Sequence, residues 1–334
     1  MAKIAVMGAG SWGTTFAKVL ADAGNDVMLW ARRPEVAEEI NAFHRNGDYL
    51  PGTNLPDNLV ASSEFIEVLD GAEQVYLSVP SQSLRTNLTE WGTYIPRNAI
   101  LVSLMKGVEQ STGLRMSEVI EESTGFAKNQ IVVVSGPNLS AEIANEEPAA
   151  SVAASSSPNA ASAVAAAASN SYFTVFTNRD VIGTEFGGIL KNLIAVAIGI
   201  VNGVGYGQNT KASIMTRGLA EISEFAVAYG AKPRTMVGLA GMGDLIATAE
   251  SPLSRNHKAG EMLGKGFSKR EVLKRMSQTA EGLSSIEPVL ALAAAKGVSM
   301  PIVEQVQLVI EGKMSPREIA PHLTRDGLSE PMGE

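Results

Sequence analysis

The chain has 334 residues, enough for two domains with separate cores, and 45% of them are hydrophobic, which excludes a disordered polypeptide. A net charge of −8 argues against a nucleic-acid surface, for which a basic face is expected. There is no cysteine, so a disulfide scaffold, a zinc–thiolate site and a covalent thiol mechanism are excluded.

The first element is a short apolar strand over residues 3–7. It runs into Gly8-Ala9-Gly10-Ser11-Trp12-Gly13 and a helix over 14–23 that Gly24 closes. A second strand follows at 27–30. A glycine run between strand and helix is the phosphate-binding turn of a dinucleotide fold. The first glycine makes the tight turn, the second lets backbone approach a pyrophosphate, and the third lets helix and strand pack closely. The helix then points free amides and its positive dipole end at the phosphates. The apolar stretch at the amino terminus is too short for a signal peptide, so a cytoplasmic protein is expected.

Beyond the second strand, where an NAD site carries an Asp or Glu for the ribose, stand Arg32 and Arg33. A guanidinium can grip a 2′-phosphate through two parallel charge-assisted hydrogen bonds, which favours NADP(H) or dual use. The alternative is a pair of solvated arginines opening the next helix at Pro34.

Further strands are predicted at 74–79, 99–103 and 131–135, with a helix at 115–123 between the last two. Alternation of this kind specifies a doubly wound, mostly parallel α/β sheet of Rossmann type. Residues 149–170 are mostly alanine and serine. They read either as a linker or as a strand at 151–155, a Ser157-Pro158 helix start, a helix at 160–169 and a strand at 172–177. The second reading keeps them in a first domain of residues 1–180.

From residue 181 onward the strand signals stop, and an all-α second domain, 181–334, is expected. Helices are predicted at 184–201, 211–228, 268–275, 282–296 and 301–311. Ser268 with Glu271, and Ser284 with Glu287, have capping-box spacing. Gly230, Gly297 and Gly312 suit helix stops, and Pro301 a first helical position. The apolar stretch 187–204 approaches spanning length, but Lys191, Asn192 and Asn202 interrupt it, so it reads as a buried core helix.

Several groups could carry chemistry. Lys191 lies in a helix that is apolar on nearly all faces. It is either a buried proton donor or a lysine whose stem packs while its head reaches solvent. Lys106-Gly107 and Gly136-Pro137-Asn138-Leu139-Ser140 follow strands directly, where open α/β sheets bind ligands. Gly241-Met242-Gly243-Asp244 puts a carboxylate in a turn between helices. Ser254-Arg255-Asn256 groups three phosphate ligands on a loop. His44, His257 and His322 lack metal-ligand spacing, so no metal is expected. Glu109, Glu118, Glu121 and Glu122 read as a solvated face, and Glu281 as surface.

Together these segments resemble the bacterial-type NAD(P)-dependent glycerol-3-phosphate dehydrogenase family, from Gly8 to about Glu311. The resemblance rests on the glycine turn, Lys106-Gly107, Ser135-Gly136-Pro137, Leu190-Lys191-Asn192, Gly241-x-Gly243-Asp244, Ser254-Arg255-Asn256 and Glu281-Gly282. It implies reversible reduction of dihydroxyacetone phosphate to sn-glycerol 3-phosphate by NAD(P)H, which supplies the phospholipid backbone. It makes Lys191 the acid/base, and Lys106, Gly136, Asn138, Asp244, Ser254, Arg255 and Asn256 substrate positions. Gly8, Gly10, Ser11, Trp12, Gly13, Arg32, Arg33, Lys106, Ser140, Arg255, Thr279 and Glu281 match cofactor positions. Asn138 and Ser140 stand where many members carry a small hydroxyl residue and alanine.

Cofactor from the first domain and phosphate anchors from the second place the expected site between the two domains. A hydroxyacyl-coenzyme A mechanism would want a His–Glu pair that the histidines do not offer, whereas 6-phosphogluconate oxidation also uses lysine and phosphate anchors. A non-catalytic nucleotide sensor has no need of a buried lysine beside phosphate anchors. A homodimer is the expected assembly.

Overall fold

The computed structural model describes residues 2–252, 254–276 and 280–321. The chain divides into two compact units. The first comprises residues 1–109 and 114–181, and the second residues 110–113 and everything from 182 onward.

The first unit is built on eight strands: β1 (Lys3–Met7), β2 (Asp26–Trp30), β3 (Leu59–Ser62), β4 (Gln74–Leu77), β5 (Ile100–Ser103), β6 (Ile131–Ser135), β7 (Ala149–Ala154) and β8 (Phe173–Asn178). Their order in the sheet is β3-β2-β1-β4-β5-β6-β7-β8. Every neighbouring pair is parallel except β6 and β7. The strand order reverses between β1 and β4, and such a switch point opens a crevice at the carboxyl ends of the strands.

Side chains of β1 alternate between two cores. Ile4 and Val6 join one with Phe16, Val19 and Leu20 of α1 (Ser11–Asp22). Ala5 and Met7 join the other, with Trp91 at the end of α4 (Leu84–Trp91) and Val119 and Ile120 of α5 (Met116–Thr124). Helices cover both faces of the sheet, and for that reason β1 is apolar at successive positions instead of alternating with polar residues. The short α2 (Pro34–Phe43), α3 (Phe65–Leu69) and α6 (Ser140–Ala144) complete the windings up to β7. β3 and α3 span only four and five residues, too few for a periodic signal.

The alanine-rich segment is not a linker. It forms β7, α7 (Pro158–Ala168) and β8, with the Ser157 hydroxyl accepting from the Ala160 amide and Pro158 in the first turn. Ala160, Ala161, Ala165 and Ala168 are buried against the sheet, where small side chains allow close packing. Glu109 corrects another expectation. It is buried, and Arg85 grips it bidentately at 2.8 and 2.9 Å while also reaching Glu122 at 2.8 Å.

The described residues of the second unit form helices and no strands. Its centre is α8 (Val181–Val204), a 24-residue helix buried from Gly183 through Val201. By length and composition it could cross a membrane, but 83% of its most apolar window is buried within the protein. It is a core helix. Around it lie α9 (Gln208–Ala228), α10 (Pro233–Met236), α11 (Asp244–Glu250), α12 (Arg255–Gly264), α13 (Lys269–Arg275), α14 (Glu281–Lys296) and α15 (Pro301–Ile310). The Ser268–Glu271 capping box forms as expected. The Ser284–Glu287 box does not, because α14 already starts at Glu281 and the Ser284 hydroxyl bonds back to the Glu281 carbonyl.

Two glycine seams bring backbones onto α8. A Cβ on Gly199 would stand 2.2 Å from the His257 carbonyl oxygen, and one on Gly260 2.1 Å from that of Val196. One turn on, Gly203 and Gly264 repeat the contact, so α8 and α12 run side by side in the same direction. Earlier on α8, a Cβ on Gly187 would lie 2.4 Å from the Ala240 carbonyl oxygen.

Glu221 of α9 closes this unit at its other end. Its buried carboxylate accepts from the amides of Ile302 at 2.9 Å and Val303 at 3.1 Å, capping the start of α15. Burial pushes this carboxyl up to about 7 with help from Glu304, against the opposing pull of the two amides and Arg217. The folded chain therefore holds a proton over a range where an unfolded glutamate has lost it. The resulting stability is complete below the ordinary value of 4.5 and is lost as pH rises through about 7. The cost of ionisation is on the order of 3 kcal/mol. Glu221→Gln should flatten this dependence, which thermal melts across the pH range would read. A variant whose melting temperature falls with pH as steeply as the parent's would disprove the assignment.

Candidate active site

The glycine turn sits at the switch point, directly after β1. Gly8 has φ +124°, and a Cβ there would meet the Ser78 carbonyl oxygen, just beyond β4, at 2.5 Å. A Cβ on Gly13 would stand 1.9 Å from the Gly8 carbonyl oxygen. Gly10 differs, with no heavy atom within 4 Å of where its Cβ would be. The first and third glycines thus serve the chain's own packing, and the second leaves open space. Gly10 also begins α1, which has no side-chain cap and no acidic residue in its first turn. Uncapped amides beside open space fit a pyrophosphate. Ser11 turns its hydroxyl to the Tyr49 carbonyl at 2.7 Å, and Trp12 packs edge-on to Phe16.

Arg32 and Arg33 leave β2 at the same edge, since Met7 and Trp30 are in register. Arg32 is exposed, and no described residue engages it. Arg33 is held by Asp48 at 2.6 Å, with Glu35 at 3.8 Å and the Tyr49 ring 5.7 Å away.

Lys106 follows β5 and donates to the Gly136 carbonyl, just past β6, at 3.1 Å. Asn138 donates to Ser151 at 3.2 Å, and its buried Oδ1 has no partner among the described residues. Ser140 opens α6, and its carbonyl accepts from Thr15 of α1 at 3.4 Å.

In the second unit Lys191 is buried. Its Nζ lies 2.9 Å from Oδ1 of the equally buried Asp244 and donates to the Thr248 hydroxyl. Thr248 in turn donates to Asp244 at 3.3 Å. Its ammonium ends inside the unit, so the solvent-reaching alternative is excluded. Asp244 and Thr248 are four residues apart on α11 and therefore share a face. The Gly241–Asp244 segment is not the open turn expected. Leu239–Gly243 is a π-helical turn that leads straight into α11. Its backbone rests against Gly187, one turn before Lys191, which brings Asp244 under the ammonium.

Ser254-Arg255-Asn256 is not a loop either. Ser254 caps α12 by accepting from the His257 amide at 3.3 Å, and Arg255 is exposed in the first turn. Asn256 is buried. It donates to Asn192 Oδ1 at 2.8 Å and accepts from the Gly282 amide at 2.9 Å. Its carboxamide thus ties α8, α12 and the start of α14 together. Glu281 is half-buried at the head of α14 instead of lying on the surface, while Thr279 and His322 lie outside the described residues.

Residues 3–161 match the model of the NAD-dependent glycerol-3-phosphate dehydrogenase N-terminus, and residues 180–321 that of its C-terminus. The chain belongs to this family. A glycerol-3-phosphate dehydrogenase [NAD(P)+] from Leifsonia xyli is 62% identical over 98% of this chain and 89% of its own length. One from Streptomyces griseus is 52% identical over 93% of each chain. The crystal structure of glycerol-3-phosphate dehydrogenase from Coxiella burnetii superposes with a TM-score of 0.90 at 33% identity, covering 96% of this chain and 98% of that one. Like other glycerol-3-phosphate dehydrogenases, this chain is an NAD(P)-dependent oxidoreductase. Among the described residues no group of three His, Asp or Glu side chains is placed to hold a metal ion.

Thr248 is a member of the buried cluster that sequence reasoning missed. Its signal is the four-residue spacing from Asp244, which puts the two on one face only because 244–250 is helical. Asn192 and Asn46 likewise carry no local signal of the partners they meet in space.

The glycine geometry makes a separable prediction. Gly10→Ala should fold with stability within about 1 kcal/mol of the parent, because its Cβ enters open space at a helix start. It should nevertheless weaken NAD(P)H binding at least tenfold. Gly13→Ala should lower the melting temperature, because its Cβ strikes backbone. Thermal melts and nucleotide titrations of both variants give the answer, and unimpaired binding by folded Gly10→Ala would place the phosphates elsewhere.

Proposed function

We propose that Lys191 delivers the proton in carbonyl reduction, oriented by Asp244 and Thr248, with Lys106, Arg255 and Asn256 binding the substrate. The reaction follows from the family. Dihydroxyacetone phosphate is reduced reversibly to sn-glycerol 3-phosphate with NAD(P)H, providing the backbone for phospholipid synthesis. The single observation that carries the residue assignment is the buried Lys191–Asp244–Thr248 cluster.

When bound, NAD(P)H supplies the hydride to the carbonyl carbon. The oxygen then gains an electron pair and requires a proton. An ammonium at Lys191 meets that need twice, by polarising the C=O bond and by giving up an N–H proton to the alkoxide. Asp244 balances the ammonium, while the Thr248 hydroxyl accepts one N–H and so restricts its rotation. A buried charge held in this way needs little reorganisation when the substrate's charge changes. Lys106 adds positive charge as the alkoxide develops.

The substrate's phosphate is a dianion that requires donors away from the reacting carbon. Arg255 offers an exposed guanidinium at the helix start, and Ser254 stands beside it. Asn256 has committed its carbonyl oxygen and one N–H, which leaves its second N–H as a donor. Binding energy from this end orients the carbonyl. Gly136, Asn138 and Ser140 are assigned to the loop between substrate and cofactor. Gly8, Gly10, Ser11, Trp12, Gly13, Arg32, Arg33, Thr279 and Glu281 are assigned to the cofactor. The residues assigned to substrate come from both units, Lys106 from the first and Lys191, Arg255 and Asn256 from the second, so turnover requires both.

We also infer a cytoplasmic homodimer. The dimer is supported by the frequency of symmetric dimers, and sedimentation would test it.

Lys191→Ala should lower turnover of dihydroxyacetone phosphate by about 10²- to 10⁴-fold while leaving NADPH affinity within a factor of two. The assay follows NADPH oxidation by absorbance beside a direct nucleotide titration. Turnover comparable to the parent's would refute the proton-transfer role. Turnover with 6-phosphogluconate in place of dihydroxyacetone phosphate would refute the substrate.

A further inference from the structure

The segment after α2 is pinned to the phosphate turn. Asn46 is fully buried and donates to the Ala9 carbonyl at 3.0 Å and to the Thr14 hydroxyl at 2.9 Å. The Asn46 carbonyl accepts from the amides of Tyr49 at 3.3 Å and Leu50 at 2.8 Å. From the turn itself, the Ser11 hydroxyl reaches the Tyr49 carbonyl at 2.7 Å. Asp48 lies between these anchors, so its backbone is held at the edge where β2 delivers the two arginines. There it takes Nη2 of Arg33 at 2.6 Å, while Arg32 stays exposed and unengaged among the described residues.

We propose that Asp48 is a specificity-determining residue for the cofactor, restraining Arg33 and so limiting the preference for NADPH over NADH. This rests on the reading that Arg32 and Arg33 meet the adenosine ribose. A 2′-phosphate is a dianion. To be gripped by Arg33 it must displace Asp48 and then tolerate the carboxylate alongside. A 2′-hydroxyl meets no such conflict, because a carboxylate can accept its hydrogen bond. Arg32 is left as the guanidinium that engages a 2′-phosphate without competition. The Arg33–Asp48 pair is partly exposed, 42% and 62% at the side chains, so a ligand can break it and its effect is a few-fold. Glu35 stands at 3.8 Å from Arg33, too far to hold it as Asp48 does.

The test is direct titration of the full chain with NADPH and with NADH, followed by nucleotide fluorescence, so that no turnover is needed. Asp48→Asn should tighten NADPH about three- to fivefold and leave NADH within about twofold. In an Arg33→Ala background the same substitution should give no gain. Glu35→Gln should shift the ratio less than Asp48→Asn does. An equal change for both nucleotides, no change for either, or a gain that persists without Arg33 would overturn the proposal. The arginine reading is checked separately by the Arg32→Ala, Arg33→Ala double variant. If its NADPH-to-NADH ratio equals the parent's, that reading falls and the proposal with it. If the ratio drops but Asp48→Asn does not raise it, the proposal alone fails.

Discussion

A charged ammonium inside a helix that is packed on every side is the constraint around which the second unit is organised. Lys191 sits on α8 among residues from Gly183 to Val201 that are all buried. Burial without a partner would cost several kcal/mol, so a carboxylate has to reach it. Asp244 does so only because the backbone of the π-helical turn comes against Gly187. The same demand for closeness recurs further along α8, where Gly199 and Gly203 face Gly260 and Gly264. Parallel packing through that seam aligns the head of α12 with Lys191 and Asn192, and Asn256 fixes the alignment with a hydrogen bond to Asn192. The site is thus a product of close backbone packing, and its glycines matter as much as its charges.

The first unit meets a different requirement. Phosphates need amides that point at them and room to come near. The crevice opens between parallel β1 and β4, because the chain continues from β1 to one side of the sheet and from β4 to the other. Gly8 and Gly13 compact the turn against Ser78 and against itself, and Gly10 keeps its outer side clear. Asn46 then buttresses the Ala9 carbonyl from a separate segment. A turn with so few conformational alternatives offers its donors without having to order them on binding.

Most of this was legible in the sequence where residues reported on their own neighbourhood. The glycine turn announced β1 and α1, and the loss of alternation after residue 180 announced a helical unit. Ser157-Pro158 gave the start of α7 even inside an alanine-rich run. Where spatial partners decided the structure, the sequence was silent. Nothing near Glu109 said that Arg85 would bury it, and nothing near Thr248 said that a lysine 57 positions earlier would use its hydroxyl. Ser254-Arg255-Asn256 looked like a loop because its polar side chains mask a helix start. Asn256 reads as a phosphate ligand on a loop, and nothing around it tells that it also braces three helices from a buried position. Short elements such as β3 and α3 lack the length for a pattern to emerge.

The whole Lys191–Asp244–Thr248 cluster is contributed by one unit, and the Arg33–Asp48–Asn46 apparatus by the other. On the proposed assignments, proton delivery and nucleotide choice are therefore modular. Evolution can retune which reductant is drawn on, following the redox economy of the cell, by exchanging residues around one turn. The buried lysine cluster, assembled from α8 and α11, need not change for that to happen.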